Sequence, residues 1–148
     1  MLDTFLSKVN EMKDGILSEV KKFQNRSFME AVVAGCAYIC TANGQIKSEE
    51  KQKMIGYIKQ SEELSVFDTN DVILFFNKMI EKFNFDEHIG KTEALTIISK
   101  LKGKEEARVM VSVCCAIGAS DGDFDDKEKA MVREICRELN LKPESFGL

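Results

Sequence analysis

The sequence lacks several features on which large protein classes depend. Its 148 residues contain no tryptophan, one histidine (His88) and one proline, Pro143, close to the end. A single histidine excludes a multi-histidine metal centre, and no proline interrupts a helix before residue 143. No phosphate-binding glycine loop is present. No apolar run approaches the roughly 18–20 residues of a membrane span, and the first residues do not resemble a signal peptide, so we expect neither.

An excess of positive charge is also absent. The chain has 21 Lys and Arg residues against 25 Asp and Glu residues, which gives a formal net charge of −4. Binding to nucleic acid through its phosphates needs clustered basic residues, so we predict no nucleic-acid partner. The five cysteines are odd in number and fall in apolar segments. Unpaired, buried thiols are typical of a reducing compartment, and we predict a cytoplasmic protein.

Apolar residues recur every three or four positions along most of the chain. The first such stripe comprises Phe5, Val9, Met12, Ile16 and Val20, and charged residues lie between them. This period is typical of an amphipathic helix, and no segment shows the alternation of a strand. We therefore predict an all-α, compact single domain over residues 1–148 with about seven helices.

Two segments of the chain align without a gap when the sequence is shifted by 78 residues. Residues 33–51 align with residues 111–129, and six positions are identical. Each segment contains a helix rich in small residues, an Asn-Gly or Asp-Gly turn, one apolar residue (Ile46 or Phe124) and a helix that begins with acidic residues. We predict two helix–turn–helix repeats related by a pseudo-twofold axis, at about residues 28–62 and 106–140. The alternative is that two unrelated amphipathic hairpins look alike.

This duplicated motif resembles the tellurite-resistance TerB family. A small-residue helix, an Asp-Gly turn, an apolar residue two positions later and a glutamate six positions after the glycine occur twice, with Asn43 in place of the aspartate in the first copy. The resemblance covers nearly the whole chain and implies an all-helical domain of bacterial tellurite-resistance and stress-response operons. It also implies metal-ion sensing, and complexes at the inner face of the cell membrane with proteins of the TerC and TerD families.

The second repeat carries the densest cluster of candidate metal ligands. Five acids fall within residues 121–128, where several carboxylate oxygens can converge on one hard cation. Two oxygen-bearing residues occupy equivalent positions in the first repeat, and face-to-face packing of the repeats would bring both sets into one acidic pocket. Oxygen ligands favour Ca²⁺, Mg²⁺ or Mn²⁺ over zinc. The predicted ligands of a divalent metal ion are Asp121, Asp123, Asp125, Glu128, Asn43 and Glu50.

The same acids have a purely structural interpretation. Asp125 and Glu128 have the spacing of a capping box, and Asp121 can hold an Asx turn. The segment is not an EF-hand, because Asp126 replaces the glycine at the sixth position of that loop and Val132 replaces the glutamate at the twelfth. Metal ligands and helix caps are therefore both open interpretations.

The cysteines and the histidine do not indicate an enzyme. Cys36, Cys114 and Cys136 occupy predicted core positions, and the chain has neither a Cys-x-x-Cys motif nor a basic residue beside a thiol in the first two cysteine segments. His88 lies among polar residues and is expected at the surface. We predict a non-enzymatic, cation-binding adaptor or scaffold that docks on membrane-associated partners without inserting into the membrane. The alternatives are a thiol- or metal-dependent enzyme acting on tellurite, and an interaction module that binds no ion.

Overall fold

The computed structural model describes residues 4–44, 46–120, 122 and 124–148. Every regular element in these residues is a helix, which confirms the predicted all-α class. None of the helices in these ranges is both long enough and apolar enough to cross a membrane. The α-helices of the described residues are α1 (Thr4–Val20), α2 (Arg26–Cys40), α3 (Ser48–Gln60), α4 (Thr69–Phe85), α5 (Glu87–Ser99), α6 (Glu105–Gly118) and α7 (Asp126–Glu138).

Short 3₁₀-helices add to this set, so the predicted count of about seven helices is too low. These elements tighten the chain where an α-helix ends or where a connection turns. Each is only three or four residues long, which is too short for an apolar period to be visible in the sequence. They span Lys21–Phe23, Thr41–Asn43, Glu63–Val66 and Pro143–Phe146.

Helix α2 lies at the centre of the fold. It packs against α4, α5, α6 and α7, and most of its residues are buried. Its small residues allow close approach: a Cβ atom on Gly35 would lie only 2.7 Å from the Cys114 Sγ atom of α6. The small-residue pattern noted in the sequence therefore permits tight helix packing.

Helices α2 and α6 run side by side in the same direction. At one end, the Asn25 side chain, which caps α2, lies 3.4 Å from the Glu106 carboxylate in the first turn of α6. At the other end, Cys40 of α2 and Gly118 of α6 line the same cleft. Because the two helices are parallel, the turns that follow them lie at the same end of the molecule. That end is called the turn end below.

The flanking helices pack reciprocally around this central pair. Helix α1 packs against α6 and α5 packs against α2, whereas α3 contacts α6 and α7 contacts α2. In each half, the helices before and after the central helix therefore contact the central helix of the other half, as a pseudo-twofold arrangement requires. The repeat relationship itself stays a prediction.

The apolar residue of each turn is buried. Ile46 and Phe124 are 5% and 4% exposed. The Phe124 ring lies 4.7 Å from the Phe5 ring, and its Cε2 atom would be 2.7 Å from a Cβ atom on Gly118. The turns are therefore anchored in the core by these two side chains.

Helices α4 and α5 form a hairpin that connects the two halves. Only Asp86 separates them, and its carboxylate accepts a hydrogen bond of 3.1 Å from the Ile89 amide to cap α5. Gly90 allows α5 to approach α4, because a Cβ atom there would lie 2.6 Å from the Phe83 Cα atom. The hairpin packs against α2, where Tyr38 stacks on Phe83 with the ring centroids 6.1 Å apart.

Candidate functional site

Both predicted turns border one cleft at the turn end. The cleft lies between the C-terminal ends of α2 and α6 and the first turns of α3 and α7, and its volume is about 260 Å³. Side chains of both halves of the chain therefore meet there. The lining residues are Ile39, Cys40, Asn43, Glu50, Lys53, Met54, Tyr57, Gly118, Asp125 and Glu128.

The structure brings four of the six predicted metal ligands together. Two of them come from the first predicted repeat and two from the second. They are Asn43, Glu50, Asp125 and Glu128. The other two predicted ligands, Asp121 and Asp123, lie outside the described residues.

Asp125 and Glu128 form the capping box that their spacing predicts. The Asp125 carboxylate accepts a hydrogen bond of 2.8 Å from the Glu128 amide, and the Glu128 carboxylate accepts one of 3.0 Å from the Asp125 amide. These bonds satisfy two amide groups of the first turn of α7. A carboxylate has about four lone-pair sites, so capping does not exclude coordination of an ion.

The charges that line the cleft are mainly negative. Glu50, Asp125 and Glu128 provide three carboxylates, and Lys53 provides one ammonium group. Glu50 lies in the first turn of α3, where the helix dipole favours a negative charge. The Lys53 ammonium lies 5.9 Å from the centre of the Tyr57 ring, on the same helix. The site therefore has an excess of carboxylates, only part of which Lys53 offsets.

Burial and the negative charge of the cleft both raise the pKa of the Cys40 thiol. Burial is the largest cause that raises the pKa of Cys40, and the neighbouring Cys36, Glu128 and Glu50 raise it further. A thiolate at this position would therefore be unfavourable at neutral pH. Cys40 lines the cleft as a neutral thiol.

The other cysteines are packing residues, as the sequence predicted. Cys36, Cys114, Cys115 and Cys136 are buried, and none of the five thiols forms a disulfide in the described residues. Burial raises the pKa of Cys136 to about 11, and it also raises the pKa of Cys115. Reactive cysteines need a lowered pKa, so this environment disfavours thiol chemistry.

Six lining residues of the cleft are absent from the predicted site, and three of these share one helix. Lys53, Met54 and Tyr57 all belong to α3, three to seven residues after Glu50. Residues at this spacing share a helix face with Glu50, so the helical period contains a signal for them. Only oxygen-bearing residues were predicted as ligands, so the ammonium group of Lys53 was missed.

Asn84 on α4 holds the first turn in place. Its side-chain amide donates to the Ile46 carbonyl and accepts from the Ile46 amide, and both bonds are 3.2 Å long. This pair satisfies the backbone of Ile46 at a point where it forms no helix. The connection between Asn43 and Glu50 is therefore fixed to the α4–α5 hairpin.

A polar network fixes α7, whose first turn carries Asp125 and Glu128. The Tyr38 hydroxyl on α2 donates a hydrogen bond of 2.5 Å to the Glu134 carboxylate on α7, and the Lys91 ammonium on α5 lies 2.8 Å from the same carboxylate. Burial of Glu134 opposes its negative charge, but the bonds from Lys91 and Tyr38 outweigh burial and lower the pKa of Glu134. Burial, and then the hydrogen bond to Glu134, raise the pKa of Tyr38.

The donor chemistry of the cleft suits a hard cation, since carboxylate and amide oxygens are the groups that Ca²⁺ and Mg²⁺ prefer. Within the described ranges, however, no three side chains among His, Cys, Asp and Glu are arranged to hold a metal ion. The four described ligands therefore do not complete a site without further donors. The divalent-metal site stays a prediction.

Comparison with known proteins decides the family. A sequence model of the family described as tellurite resistance protein TerB matches residues 29–148. The chain belongs to the TerB family. The TerB match begins within α2 and so includes every described residue of the cleft. A similar protein from Alcaligenes sp., named tellurium resistance protein TerB, is 45% identical over 105 residues, which cover 69% of this chain and 86% of that protein. No solved structure matches the chain.

Proposed function

We propose that this chain is a non-enzymatic adaptor in bacterial tellurite resistance that binds a divalent cation in the cleft at the turn end. Membership of the TerB family supports the link to tellurite resistance. The cation is supported by one observation above all, namely that oxygen-bearing side chains from both halves of the chain line a single cleft with an excess of carboxylates.

In this proposal, each described residue of the cleft has a distinct role. Glu50, Asp125 and Glu128 would supply carboxylate oxygens, and Asn43 would supply a neutral oxygen. The bound ion would supply positive charge that links the first turns of α3 and α7. Lys53 would compete with the ion, because its ammonium group already offsets part of the negative charge.

Binding of the ion would prepare the chain to engage its partners. The ion would offset the negative charge of the carboxylates in the cleft. The charge of the turn end would then change, and with it the charge of the partner surfaces that it attracts. By resemblance to the TerB family, these partners are membrane-associated resistance proteins of the TerC and TerD families. The adaptor would meet them in the cytoplasm, at the inner face of the membrane, without entering the bilayer.

The cation is tested by calorimetric titration of the metal-stripped protein with Ca²⁺, Mg²⁺ and Mn²⁺. Glu50→Gln and Glu128→Gln remove charge but keep an oxygen, so the hydrogen bond from the Asp125 amide is retained. A dication about 4 Å from a carboxylate gains roughly 2 kcal/mol in a water-like dielectric, so each substitution is expected to weaken binding by about thirtyfold.

A matched control separates a local effect from the loss of net charge. Glu105→Gln makes the same change in the first turn of α6, at the opposite end of the molecule, and should leave the affinity nearly unchanged. Equal affinities in the wild type and in the Glu50→Gln/Glu128→Gln variant would show that the cleft is not the binding site.

A second candidate function is an interaction module that binds no ion. The capping box favours it, because Asp125 and Glu128 already have a structural role in α7. This alternative predicts no heat of binding in the titration and no change in melting temperature with any of the three ions. Partner binding would then be insensitive to a chelator.

A further inference from the structure

An exposed aromatic residue lies close to the turn end. Phe85, the last residue of α4, is 83% exposed. Among the described residues, the other exposed large apolar side chains are Leu74 and Ile89, which also belong to the α4–α5 hairpin. A single exposed apolar residue needs no explanation, so the surroundings of Phe85 decide its importance.

Phe85 forms a ridge between two hollows. One hollow, of about 200 Å³, is lined by the buried Phe83, and the other, of about 460 Å³, is lined by the buried Ile46 and Ile80. Asn84 contributes to both hollows, and its hydrogen bonds to Ile46 fix the first turn as a shared wall. The ridge and the hollows together are called the Phe85 surface. Apolar side chains of a partner can occupy the two hollows, with Phe85 as an aromatic anchor between them.

The rim of this surface is acidic. Asp86 and Glu87 line the smaller hollow without a basic residue, and Glu81 and Lys51 line the larger one. The three carboxylate residues are exposed. One of the Asp86 oxygens caps α5, which leaves its charge in place. Three carboxylates against one ammonium group give the rim a negative potential that attracts a basic partner.

We propose that the Phe85 surface docks a segment of a partner protein that carries aliphatic side chains flanked by lysine or arginine. The aliphatic side chains would fill the hollows, and the basic groups would face Glu81, Asp86 and Glu87. Phe85 would pack against the apolar side chains and accept a cation over its ring. The acidic rim repels an anionic membrane surface, and it repels the same rim on a second copy of this chain.

This inference rests on the adaptor role proposed above but not on the cation. It is therefore tested with a chelator present, so that failure of the cation site and failure of the docking surface give different results. The turn held by Asn84 links the two regions, since it leads from Asn43 in the cleft to Ile46 in the larger hollow.

The test uses the isotope-labelled full chain and a designed leucine–lysine amphipathic peptide as the probe. A leucine–glutamate peptide of the same pattern is the control. Amide chemical-shift changes are expected at residues 44, 46 and 80–87, with little change at the opposite end of the molecule. Phe85→Ser should weaken binding of the leucine–lysine peptide about tenfold or more, as for the loss of a central aromatic anchor.

Leu74→Ser is the matched variant, because it removes another exposed apolar side chain from the same helix. Binding by this variant should stay within about twofold of the wild type, since the residue lies outside the docking surface. Unchanged binding by Phe85→Ser, or equal binding of the two peptides, would overturn the proposal. Concentration-dependent self-association that disappears in Phe85→Ser would assign the surface to a second copy and would equally overturn it.

Discussion

Substitution of Gly90 by alanine tests how the α4–α5 hairpin is built. A Cβ atom at this position would lie 2.6 Å from the Phe83 Cα atom and 2.6 Å from its Cδ1 atom. Real Cβ atoms do not approach other atoms so closely. The ring of Phe83 can rotate, but its Cα atom belongs to the backbone of α4 and moves only with that helix. The hairpin must therefore open to accept one methyl group.

The expected magnitude follows from two opposing effects. Replacing glycine by alanine inside a helix stabilises it by about 1 kcal/mol. Overpacking a closed contact costs about 1–3 kcal/mol, and a contact with backbone lies at the upper end of that range. Gly90→Ala is thus expected to lower the free energy of unfolding by about 2 kcal/mol. In a chain of this size that corresponds to a fall of roughly 4–8 °C in the melting temperature.

Gly56→Ala provides the matched control. Gly56 also lies within a helix, α3, but a Cβ atom there meets nothing within 4 Å. The same chemical change should therefore raise stability by about 0.5–1 kcal/mol. Urea unfolding followed by circular dichroism measures both variants. Wild-type stability of Gly90→Ala, or a loss of stability in Gly56→Ala, would refute the packing argument.

The remaining predictions concern polar contacts. Glu134→Gln should be less stable than the wild type at pH 7, and the difference should shrink as the pH falls below about 4.5, because the lowered pKa of Glu134 stabilises the fold only while the carboxylate is charged. Urea unfolding at neutral and acid pH measures this, and a difference that does not depend on pH would contradict it. Asn84→Ala should cost about 1–2 kcal/mol and speed amide exchange at Ile46, whose two backbone hydrogen bonds it removes. Slow exchange at Ile46 in that variant would show that the first turn is held by other contacts.

Much of the fold can be predicted because it depends on local chemistry. The apolar period marks the buried face of α1, and Asn25 caps α2 by accepting a hydrogen bond of 2.9 Å from the Phe28 amide. Gly44 and Gly122 adopt positive φ angles of 102° and 80° in the turns where the sequence places them. Each of these features is determined by residues within one or two helical turns.

The start of α5 could not be predicted in the same way. The helix begins at Glu87, one residue after the cap of Asp86, and its buried residues include the small Gly90 and Ala94. A face made of small residues gives a weak apolar signal, since glycine and alanine contribute little hydrophobic contrast. The close approach of α4 and α5 depends on this face of small residues. The residues that allow the packing are therefore also the reason why the sequence pattern does not show where α5 begins.

The arrangement of the candidate site depends on a property that is not local. Asn43 and Glu50 meet Asp125 and Glu128 because α2 and α6 run parallel, and nothing in either helix alone specifies its direction relative to the other. The alignment of residues 33–51 with residues 111–129 made a shared pocket a reasonable prediction. Lys53 was missed for a different reason: the helical period places it on the same face as Glu50, but only oxygen-bearing side chains were predicted as ligands.

The charge balance of the cleft shows which residues decide between a cation site and a pair of helix caps. Glu50, Asp125 and Glu128 contribute about three negative charges, and Lys53 contributes one positive charge. The first turns of α3 and α7 border the cleft with roughly half a positive charge each, and the C-terminal ends of α2 and α6 border it with roughly half a negative charge each. These helix charges cancel, so the described groups leave a net charge of about −2, which attracts a dication. Glu50 and Glu128 therefore decide between the two interpretations, because neutralising either one halves the negative charge that would hold a divalent ion.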